Sequence, residues 1–542
     1  MNTQPVSPYQ STLENYHQAR WCEPLLFEIS EAGQRGIIPP PLEAGITESI
    51  GDPLQDVPSW MRRTSPPALP EVSQVHVLRH FLRLSQETLG AGLIADMGMA
   101  TSTVKYNPPV NEQLVHSPKL NELHPLQDEE TVQGILEILY RFEQILKAIS
   151  GMSRFTFQPR GGSAAIYTNA SIVQAWHRWR GEPWRNEIIT TIFSHPSNAA
   201  CPASAGFKII TLYPDSDGYP SVEALRAVLS ERTAGLFITN PDDTGIFNPK
   251  IDEFVHLVHE AGGLCVYDQA NANGLLGIVR AADLGFDLCH FNLHKTFGTP
   301  HASGGPGAGA SGVTEALAPF LPIPTVEFDG TRYFLDYDRP LSIGKVASFY
   351  GAVANVVRAY AWVMSLGAEG LRAVAETAVL NNNYLLARML EIPSITAPFA
   401  EGKHRLEQVR YSLEKLTRET GLHSSDLARR AADFGAHFFL SHHPFVVPEP
   451  ATIEPTESYS QADLDTHAAM FERLVKEAYT APEEIQSAPH RAAIHLMPDP
   501  SYLEDPQRWA ITWRAWLRKH GKNAQQSAMA ENEASTKKTK EE

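Results

Sequence analysis

Lys295 lies in a segment rich in small and hydroxyl residues, Asn292-Leu-His-Lys-Thr-Phe-Gly-Thr-Pro-His301, and the glycine-rich stretch 304–309 follows it. Upstream, a short apolar run ends at Asp268. Pyridoxal phosphate (PLP) enzymes need a lysine that forms a Schiff base, an acid that pairs with the pyridinium nitrogen, and small residues that let the backbone approach a phosphate. The pattern therefore indicates PLP chemistry. On spacing alone, a surface lysine in a glycine-rich loop remains the alternative.

Alternating strand and helix patterns surround these two residues. Strands are predicted at 187–193, 207–212, 234–239, 263–268 and 287–292, and helices at 164–179, from Ser221 onward, and at 251–260. Such alternation predicts an α/β fold with a mainly parallel sheet covered by helices on both faces. Sites in such sheets form at the carboxyl ends of strands, which is where Asp268 and Lys295 fall.

Four residues are candidates for contacts with the phosphate. Gly162 and Ser163 open the predicted helix 164–179, and the free N–H groups at a helix start favour an anion. His294 and Thr296 flank the lysine and could also contact phosphate. The alternatives are an ordinary glycine before a helix and, for the last two residues, local packing.

Composition narrows the class of protein. The chain has 542 residues, of which 43% are hydrophobic and 20% charged, enough for a large core and more than one domain. A formal charge of −17 disfavours binding to nucleic acid or to an anionic membrane. We expect no membrane helix and no signal peptide. The dispersed cysteines, Cys22, Cys201, Cys265 and Cys289, indicate no metal site and favour a reducing cytoplasm.

The chain divides into four predicted parts. Residues 1–115 form a proline-rich, extended amino-terminal arm, and residues 116–345 form the large PLP-binding domain, which begins with a helix at 128–149. Residues 346–521 contain linking helices at 346–365 and 371–391 and a small α/β domain with helices near 425–434 and 461–478. The low hydrophobicity of 522–542 predicts a disordered tail.

The amino-acid sequences of many segments resemble those of one family. The segment around Lys295 and several others resemble glycine decarboxylase, the P-protein of the glycine cleavage system, in its lysine-bearing half (subunit 2). The other matching segments span roughly residues 24–490 in family order and include Pro24-Leu-Leu-Phe-Glu-Ile-Ser30, Lys105-Tyr-Asn-Pro108, His124-Pro-Leu-Gln127, Ser342-Ile-Gly-Lys345, Asn383-Tyr-Leu-Leu-Ala-Arg388 and Ile453-Glu-Pro-Thr-Glu-Ser458. The resemblance implies the PLP-dependent transferase fold of type I.

The resemblance also implies a function and roles for individual residues. Glycine would bind through PLP on Lys295 and lose carbon dioxide, and its aminomethyl group would pass to the lipoyl arm of the H-protein. A lysine-free P-protein half would be the partner, in a homodimer or heterotetramer. Asp268 would keep the PLP ring nitrogen protonated, and its alternative is a strand-end cap. His195 would lie on the ring face, and Asn198 would orient the ring hydroxyl or the substrate carboxylate.

Several departures from the family fall near the expected site. Residues 160–166 lack a histidine and a glutamate, with Ile166 in place of the acid, and residues 199–202 differ as well. Within 242–244, Asp242 replaces an amide, and residues 100–103 also depart from the family. A repurposed PLP-dependent decarboxylase, lyase or transferase, acting on another amino acid without the lipoyl carrier, is therefore the second hypothesis. A non-catalytic subunit is the third, and Lys295 and Asp268 argue against it.

Overall fold

The structure is a computed structural model that describes residues 13, 16–21, 23–37, 39–65, 67, 69–87, 94–95, 97–103, 105–301, 307–440 and 446–492. All of them belong to one compact unit. The predicted tail at 522–542, the end of the predicted small domain, Cys22 and residues 304–306 of the glycine-rich stretch lie outside the described residues. The predicted domain boundaries stay a prediction.

The described helices follow in chain order. They are α1 (Ala44–Ile50), α2 (Gln74–Ser85), α3 (Pro109–Val115), α4 (Pro118–Asn121), α5 (Gln133–Ser150), α6 (Gly162–Trp179), α7 (Ser197–Ser204), α8 (Val222–Arg226), α9 (Ile251–Glu260), α10 (Val353–Leu390), α11 (Glu414–Thr420), α12 (Ser424–Ala431), α13 (Gln461–Thr480) and α14 (Pro482–Gln486). The described strands are β1 (Arg154–Thr156), β2 (Glu187–Thr191), β3 (Lys208–Leu212), β4 (Thr233–Thr239), β5 (Leu264–Gln269), β6 (Leu288–Asn292), β7 (Gly309–Val313), β8 (Thr325–Phe328), β9 (Tyr333–Asp336), β10 (Val409–Ser412) and β11 (Pro450–Ile453).

A seven-stranded sheet in the order β1-β7-β6-β5-β4-β2-β3 organises the larger part of the structure. Strands β2 to β6 pair in parallel, whereas β7 pairs antiparallel with β6 and β1 antiparallel with β7. The predicted α/β fold with a mainly parallel sheet is confirmed. In the register of the central strands, Asp268 lies beside Thr239 on one side and beside His290 on the other.

Most predicted helices are present, but some differ in length. Helix α9 has the predicted limits, and Ser460 with Asp463 forms the expected capping box of α13. Helix α5 begins five residues later than predicted, and α8 ends at Arg226. The two predicted linking helices correspond to the two halves of α10, which Gly367 separates with a φ of 64°. Its start at Val353 is later than predicted, because Phe349 and Gly351 have φ angles of 61° and 132°, outside the right-handed helical region.

Buried apolar side chains form several clusters; one packs α6 against the main sheet, and two others are larger. One covers the main sheet and joins it to α5, α9 and the first half of α10, with Phe142, Leu236 and Phe291 fully buried. The other lies among α11 to α13 and the β10–β11 pair, with Tyr411, Leu427 and Phe471 at its middle. Between them, these centres fix the relative position of the sheet and of β10, which the site uses.

The amino-terminal arm differs from the predicted extended segment. It contains α1 and α2, and Glu23 pairs with His80 at 3.1 Å, so part of it folds back on itself. It exposes many large apolar side chains, among them Ile37, Leu42, Ile46, Ile50, Leu54, Trp60, Met61 and Leu69. Packing of the arm on another surface stays a prediction. Among the described helices, none is both long and apolar enough to cross a membrane.

Candidate active site

Lys295 follows β6 in a turn that its own backbone closes. Its N–H donates to the carbonyl of Asn292 at 3.1 Å, and its side chain is buried. The Nζ atom donates to the Thr101 hydroxyl at 3.0 Å. Burial lowers the pKa of Lys295, and the charge of Asp268 opposes this shift only in part. A buried lysine with a depressed pKa is suited to act as a nucleophilic amine.

Asp268 lies near the end of β5 with both carboxylate oxygens engaged. Oδ2 accepts from Asn198 Nδ2 at 2.6 Å and from the Thr239 hydroxyl at 3.2 Å. Oδ1 accepts from the backbone N–H of Ala270 at 3.0 Å and lies 3.2 Å from Nε2 of His290. These four contacts fix the position of the buried carboxylate, and the one from Ala270 also caps the following loop. The role of Asp268 at the ring nitrogen stays a prediction.

The electrostatics of this carboxylate favour its ionised form. Burial acts to raise the pKa of Asp268, but the neighbouring His290 and His195 and the hydrogen bond from Asn198 outweigh it and leave the pKa below its usual value. A buried, ionised acid at a strand end can hold a cationic ring nitrogen. His290 is a contributor that the sequence analysis missed, although its position in β6 beside Asp268 follows from the parallel register.

His195 and Asn198 lie at the start of α7, next to the carboxyl end of β2. The His195 Nδ1 atom is 2.8 Å from the Ser197 hydroxyl and 3.2 Å from the Ser197 backbone N–H, which donates to it. Burial lowers the pKa of His195. While Asn198 Nδ2 contacts Asp268, its buried Oδ1 has no hydrogen-bond partner among the described residues, which leaves an acceptor available to a bound molecule.

The start of α6 has features that suit the predicted anion cradle, which stays a prediction. Gly161 precedes the helix with a φ of 137°, and no side chain caps the helix start. A methyl group built on Gly162 would lie 2.8 Å from Asn292 Nδ2, so a larger residue here requires the Asn292 amide or the helix start to shift. Burial raises the pKa of the nearby Cys201 thiol, and Ser163 acts to lower it. Since α6 has 18 residues, its free N–H groups and dipole form a site suited to phosphate.

The two residues beside Lys295 have different surroundings. The Thr296 hydroxyl accepts from the backbone N–H of Ala272 at 2.8 Å, a contact that fixes the local backbone. His294 Nδ1 lies 2.9 Å from the carbonyl oxygen and 3.1 Å from the backbone nitrogen of Ala308, and its Cε1 atom is 3.8 Å from where a Cβ on Gly161 would lie. His294 is therefore next to the phosphate cradle, whereas Thr296 is engaged elsewhere. Phosphate contact stays a prediction for both.

A cavity of about 280 Å³ opens onto Lys295, and much of its wall was not found from sequence. Thr101, Asp243, Gln408 and Arg410 line it together with His195. The first four come from three distant stretches of chain: the arm, the loop after β4, and β10 with the preceding Gln408. The available signal was a charged residue in the apolar run 409–413, which would be costly to bury without a partner or a ligand.

The positions at which the sequence departs from the family lie in different places: in the apolar core, in a turn and at the cavity. Ile166 is fully buried in apolar packing on α6, so it is a core residue. Asp242 Oδ1 accepts from the backbone N–H and the hydroxyl of Thr244 at 2.8 and 2.6 Å, which makes it the anchor of a turn. Asp243, one residue later, is the acid that faces the cavity. Ala100, where the family has glycine, adopts a φ of 52°, which favours glycine.

These residues fit PLP. Lys295 supplies a buried amine, Asp268 a fixed ionised acid, and α6 an uncapped helix start. The unpartnered Asn198 Oδ1 is a polar atom that a ring substituent could satisfy. The residues that fit PLP lie at the carboxyl ends of β4, β5 and β6 and at the start of α6, the helix that follows β1. In α/β sheets, ligands bind at such strand ends.

Comparison with known proteins agrees with this geometry. Residues 374–495 match the family model described as glycine dehydrogenase, C-terminal domain, and residues 159–303 match aminotransferase class-V. The probable glycine dehydrogenase (decarboxylating) subunit 2 of Pyrococcus abyssi is 44% identical over 92% of this chain and 98% of its own length. The corresponding protein of Halalkalibacterium halodurans is 39% identical over 89% and 97%.

Solved structures support the fold. An inhibitor-bound glycine decarboxylase (P-protein) of the glycine cleavage system matches with a TM-score of 0.66 at 21% identity, covering 81% of this chain and all of the other. A NifS-like protein matches with a TM-score of 0.55 at 16% identity, covering 71% and 99%. The fold is therefore that of the PLP-dependent transferases of type I, and PLP is the cofactor of these enzymes. By its identity to relatives over nearly their whole length, the chain belongs to the glycine dehydrogenase (decarboxylating) subunit 2 family.

Proposed function

We propose that this protein is the PLP-binding subunit of a glycine decarboxylase. The observation that carries the proposal is the buried Lys295 amine held beside the fixed carboxylate of Asp268, in a chain whose relatives are glycine dehydrogenases along nearly their whole length. The reaction releases the glycine carboxyl group as carbon dioxide and leaves an aminomethyl group for transfer. When bound, PLP supplies an electron sink for the pair left by the departing carboxyl group.

Individual residues of the chain hold and orient the cofactor. The Lys295 amine holds PLP, and the Thr101 hydroxyl 3.0 Å away keeps Nζ in place. Asp268 stays ionised and holds the proton of the ring nitrogen, while Asn198 keeps Asp268 oriented. The start of α6 binds the phosphate. Buried surroundings make each of these electrostatic contacts stronger than it would be in water.

His195 is the candidate for proton movement. Its Nδ1 atom accepts from Ser197, so the neutral ring carries its proton on Nε2. Burial lowers the pKa of His195, which favours this neutral form near pH 7. In this role the imidazole would donate its Nε2 proton to a substrate in the Lys295 cavity while Nδ1 takes up a proton through the Ser197 hydroxyl 2.8 Å away, so that the ring stays neutral.

The name subunit 2 implies a further subunit. We propose a lysine-free P-protein half as that partner, in a heterotetramer, and a lipoylated H-protein as the acceptor of the aminomethyl group, all in the cytoplasm. The exposed apolar side chains of the arm support a protein partner, since patches of this kind mark interaction surfaces. A repurposed enzyme acting on another amino acid is not favoured, because relatives over 92% of the chain are glycine dehydrogenases.

A spectroscopic experiment tests the cofactor assignment and the substrate together. Purified holoenzyme is screened with single amino acids while the visible absorbance of PLP and released carbon dioxide are followed. Borohydride reduction should fix PLP to Lys295, and glycine should change the absorbance. Lys295→Ala should lose the reducible bond, whereas the exposed control Lys119→Ala should retain it. A reducible bond that persists in Lys295→Ala would contradict the assignment.

A further inference from the structure

Lys105 is a second buried lysine close to Lys295. Its side chain is 1% exposed. The Nζ atom donates to the Thr296 carbonyl at 2.9 Å and to Asn273 Oδ1 at 3.0 Å, and it lies 3.1 Å from Glu457 Oε2. An ammonium has three N–H donors, so these three acceptors can use all of them. Lys105 is therefore held in one place rather than available as a nucleophile.

Glu454 is a buried acid that contacts the same asparagine side chain, Asn273. It directly follows β11 and is 1% exposed. Its Oε1 accepts from Asn271 Nδ2 at 2.7 Å and from Asn273 Nδ2 at 2.8 Å, and its Oε2 accepts from Asn271 Nδ2 at 2.9 Å. Burial raises the pKa of Glu454, whereas the two amide donors and the nearby lysine charges act to lower it. The amide of Asn273 thus bridges a buried cation and a buried acid.

The bridge joins the turn of Lys295 to the loop 270–273. Thr296 directly follows Lys295, and its carbonyl accepts from the buried ammonium. The hydroxyl of Thr296 accepts from the Ala272 N–H at 2.8 Å, within the loop that follows β5. Since Asp268 lies at the end of β5, a shift of this loop relative to the turn changes how the Asp268 carboxylate and the Lys295 amine face each other.

We propose that Lys105 and Glu454 act as a positioning pair that, through Asn273, holds the Lys295 turn against the loop following Asp268. Removal of either member leaves the other charge buried with one partner fewer, so the bridge must rearrange. The inference rests on the proposed function only in that PLP bonds to Lys295. It requires neither glycine as the substrate nor a partner subunit.

Reconstitution with PLP separates this role from a merely structural one. Apoenzymes of wild type, Lys105→Met, Glu454→Gln and the double variant receive PLP, and two quantities are measured: the rate of bonding to Lys295 and the visible circular dichroism per bound PLP. Each single variant should slow bonding about tenfold and change the circular dichroism, because amine and ring meet in an altered orientation. The double variant should be slowed no more than the slower single one, since both act through one bridge. The exposed controls Lys415→Met and Glu472→Gln should match wild type.

Hydrogen exchange of the apoenzymes tests the same bridge without PLP. The Ala272 N–H donates to the Thr296 hydroxyl, and the Asn273 N–H donates to Asn271 Oδ1 at 2.9 Å. Both N–H groups should exchange about tenfold faster in each single variant than in the controls, because local opening of the loop becomes easier.

Three results would each overturn the proposal. The first is a bonding rate and circular dichroism equal to wild type in both single variants, whatever their stability. The second is a set of rates that multiply in the double variant, and the third is unchanged exchange. If the variants do not fold, Lys105→Arg and Glu454→Asp keep the charges and are judged by the same readouts. Failure of the proposed function differs, because wild type itself would then lack the reducible bond at Lys295, and the exchange result would still decide on the bridge.

Discussion

Asp268 is the residue on which the electronics of the site depend. Its carboxylate accepts from Asn198, Thr239 and Ala270. The nearby His290 favours its ionised form. An amide at this position could keep the contact with Asn198 but could not hold the proton of a pyridinium nitrogen. Its negative charge, rather than its shape, is the property that the reaction needs.

We therefore expect Asp268→Asn to retain PLP and lose turnover. Removal of a preorganised charge at a reacting group costs about a hundredfold or more in rate. Turnover at saturating glycine measures the loss, and borohydride labelling of Lys295 shows whether PLP is retained. Asp287→Asn is a matched change at an acid that instead contacts His259 at 2.8 Å, outside the site. Near-normal turnover in Asp268→Asn would refute the role.

Sequence analysis predicted those site residues that lie in a recognisable local segment. Lys295 has a recognisable segment, and Asp268 ends an apolar strand. By contrast, Thr101 and Asp243 have no local signature, and the only local signal of Arg410 is its charge in a short apolar stretch, because the relevance of all three arises when distant stretches meet at one cavity. For Asp242 the sequence was misleading. Because Asp242 departs from the family, it was expected near the substrate, but its side chain anchors a turn and Asp243 faces the cavity.

The turn at Asp242 gives a pH-dependent prediction. Burial raises the pKa of Asp242 to about 7, so the folded protein retains a proton there that the unfolded chain loses near pH 4. The stability contributed by this group is complete below about pH 4 and is lost as the pH rises through 7. Asp242→Asn removes the effect and keeps the Oδ1 acceptor of the turn.

Denaturant unfolding at pH 5 and pH 8 measures this effect. The stability advantage of Asp242→Asn over wild type should be about 2–3 kcal/mol larger at pH 8 than at pH 5. Asp252→Asn, an exposed change in the first turn of α9, serves as the control and should show little difference between the two pH values. An advantage that is independent of pH, or larger at pH 5, would show that Asp242 is not protonated in the folded protein.

At the level of elements, the start of α6 carries the phosphate assignment. In Gly162→Ala, the added methyl group would meet Asn292 Nδ2 at 2.8 Å and displace the helix start or the Asn292 amide. We expect PLP affinity to fall about tenfold, measured by reconstitution of the apoenzyme. Gly134→Ala in α5 meets nothing within 4 Å and should leave affinity unchanged. Equal PLP affinity in both variants would place the phosphate elsewhere.

The elements that could be predicted from the sequence have a clear apolar pattern, either the helical repeat of a helix or the continuous run of a buried strand. Helix α9 and the five parallel strands appear close to their predicted limits because buried parallel strands are continuous apolar runs. Strand β7, Gly-Ala-Ser-Gly-Val, has no such run. Its glycine at position 312 makes room for the ring of Phe155, which is a tertiary requirement invisible in the local pattern.

At the scale of the whole molecule, the arm should be the surface for another subunit. Ile37 and Trp60 are 80% and 82% exposed, although both are large and apolar. The double variant Ile37→Ser/Trp60→Ser should weaken subunit association without changing PLP on Lys295, as measured by sedimentation at micromolar concentration. Leu380→Ser, at an exposed position of α10, is the control. Unchanged association in the double variant would remove the arm from the interface.

The exchange of bicarbonate into glycine tests the central claim most directly. Holoenzyme is combined with a lysine-free P-protein half and lipoylated H-protein, both shown to be active with an authentic subunit 2, and supplied with glycine and labelled bicarbonate. We predict that label enters the glycine carboxyl group in the wild-type mixture and not in the Lys295→Ala mixture. Absence of exchange, together with an absorbance change that only another amino acid produces, would contradict the assignment of this protein as a glycine decarboxylase subunit.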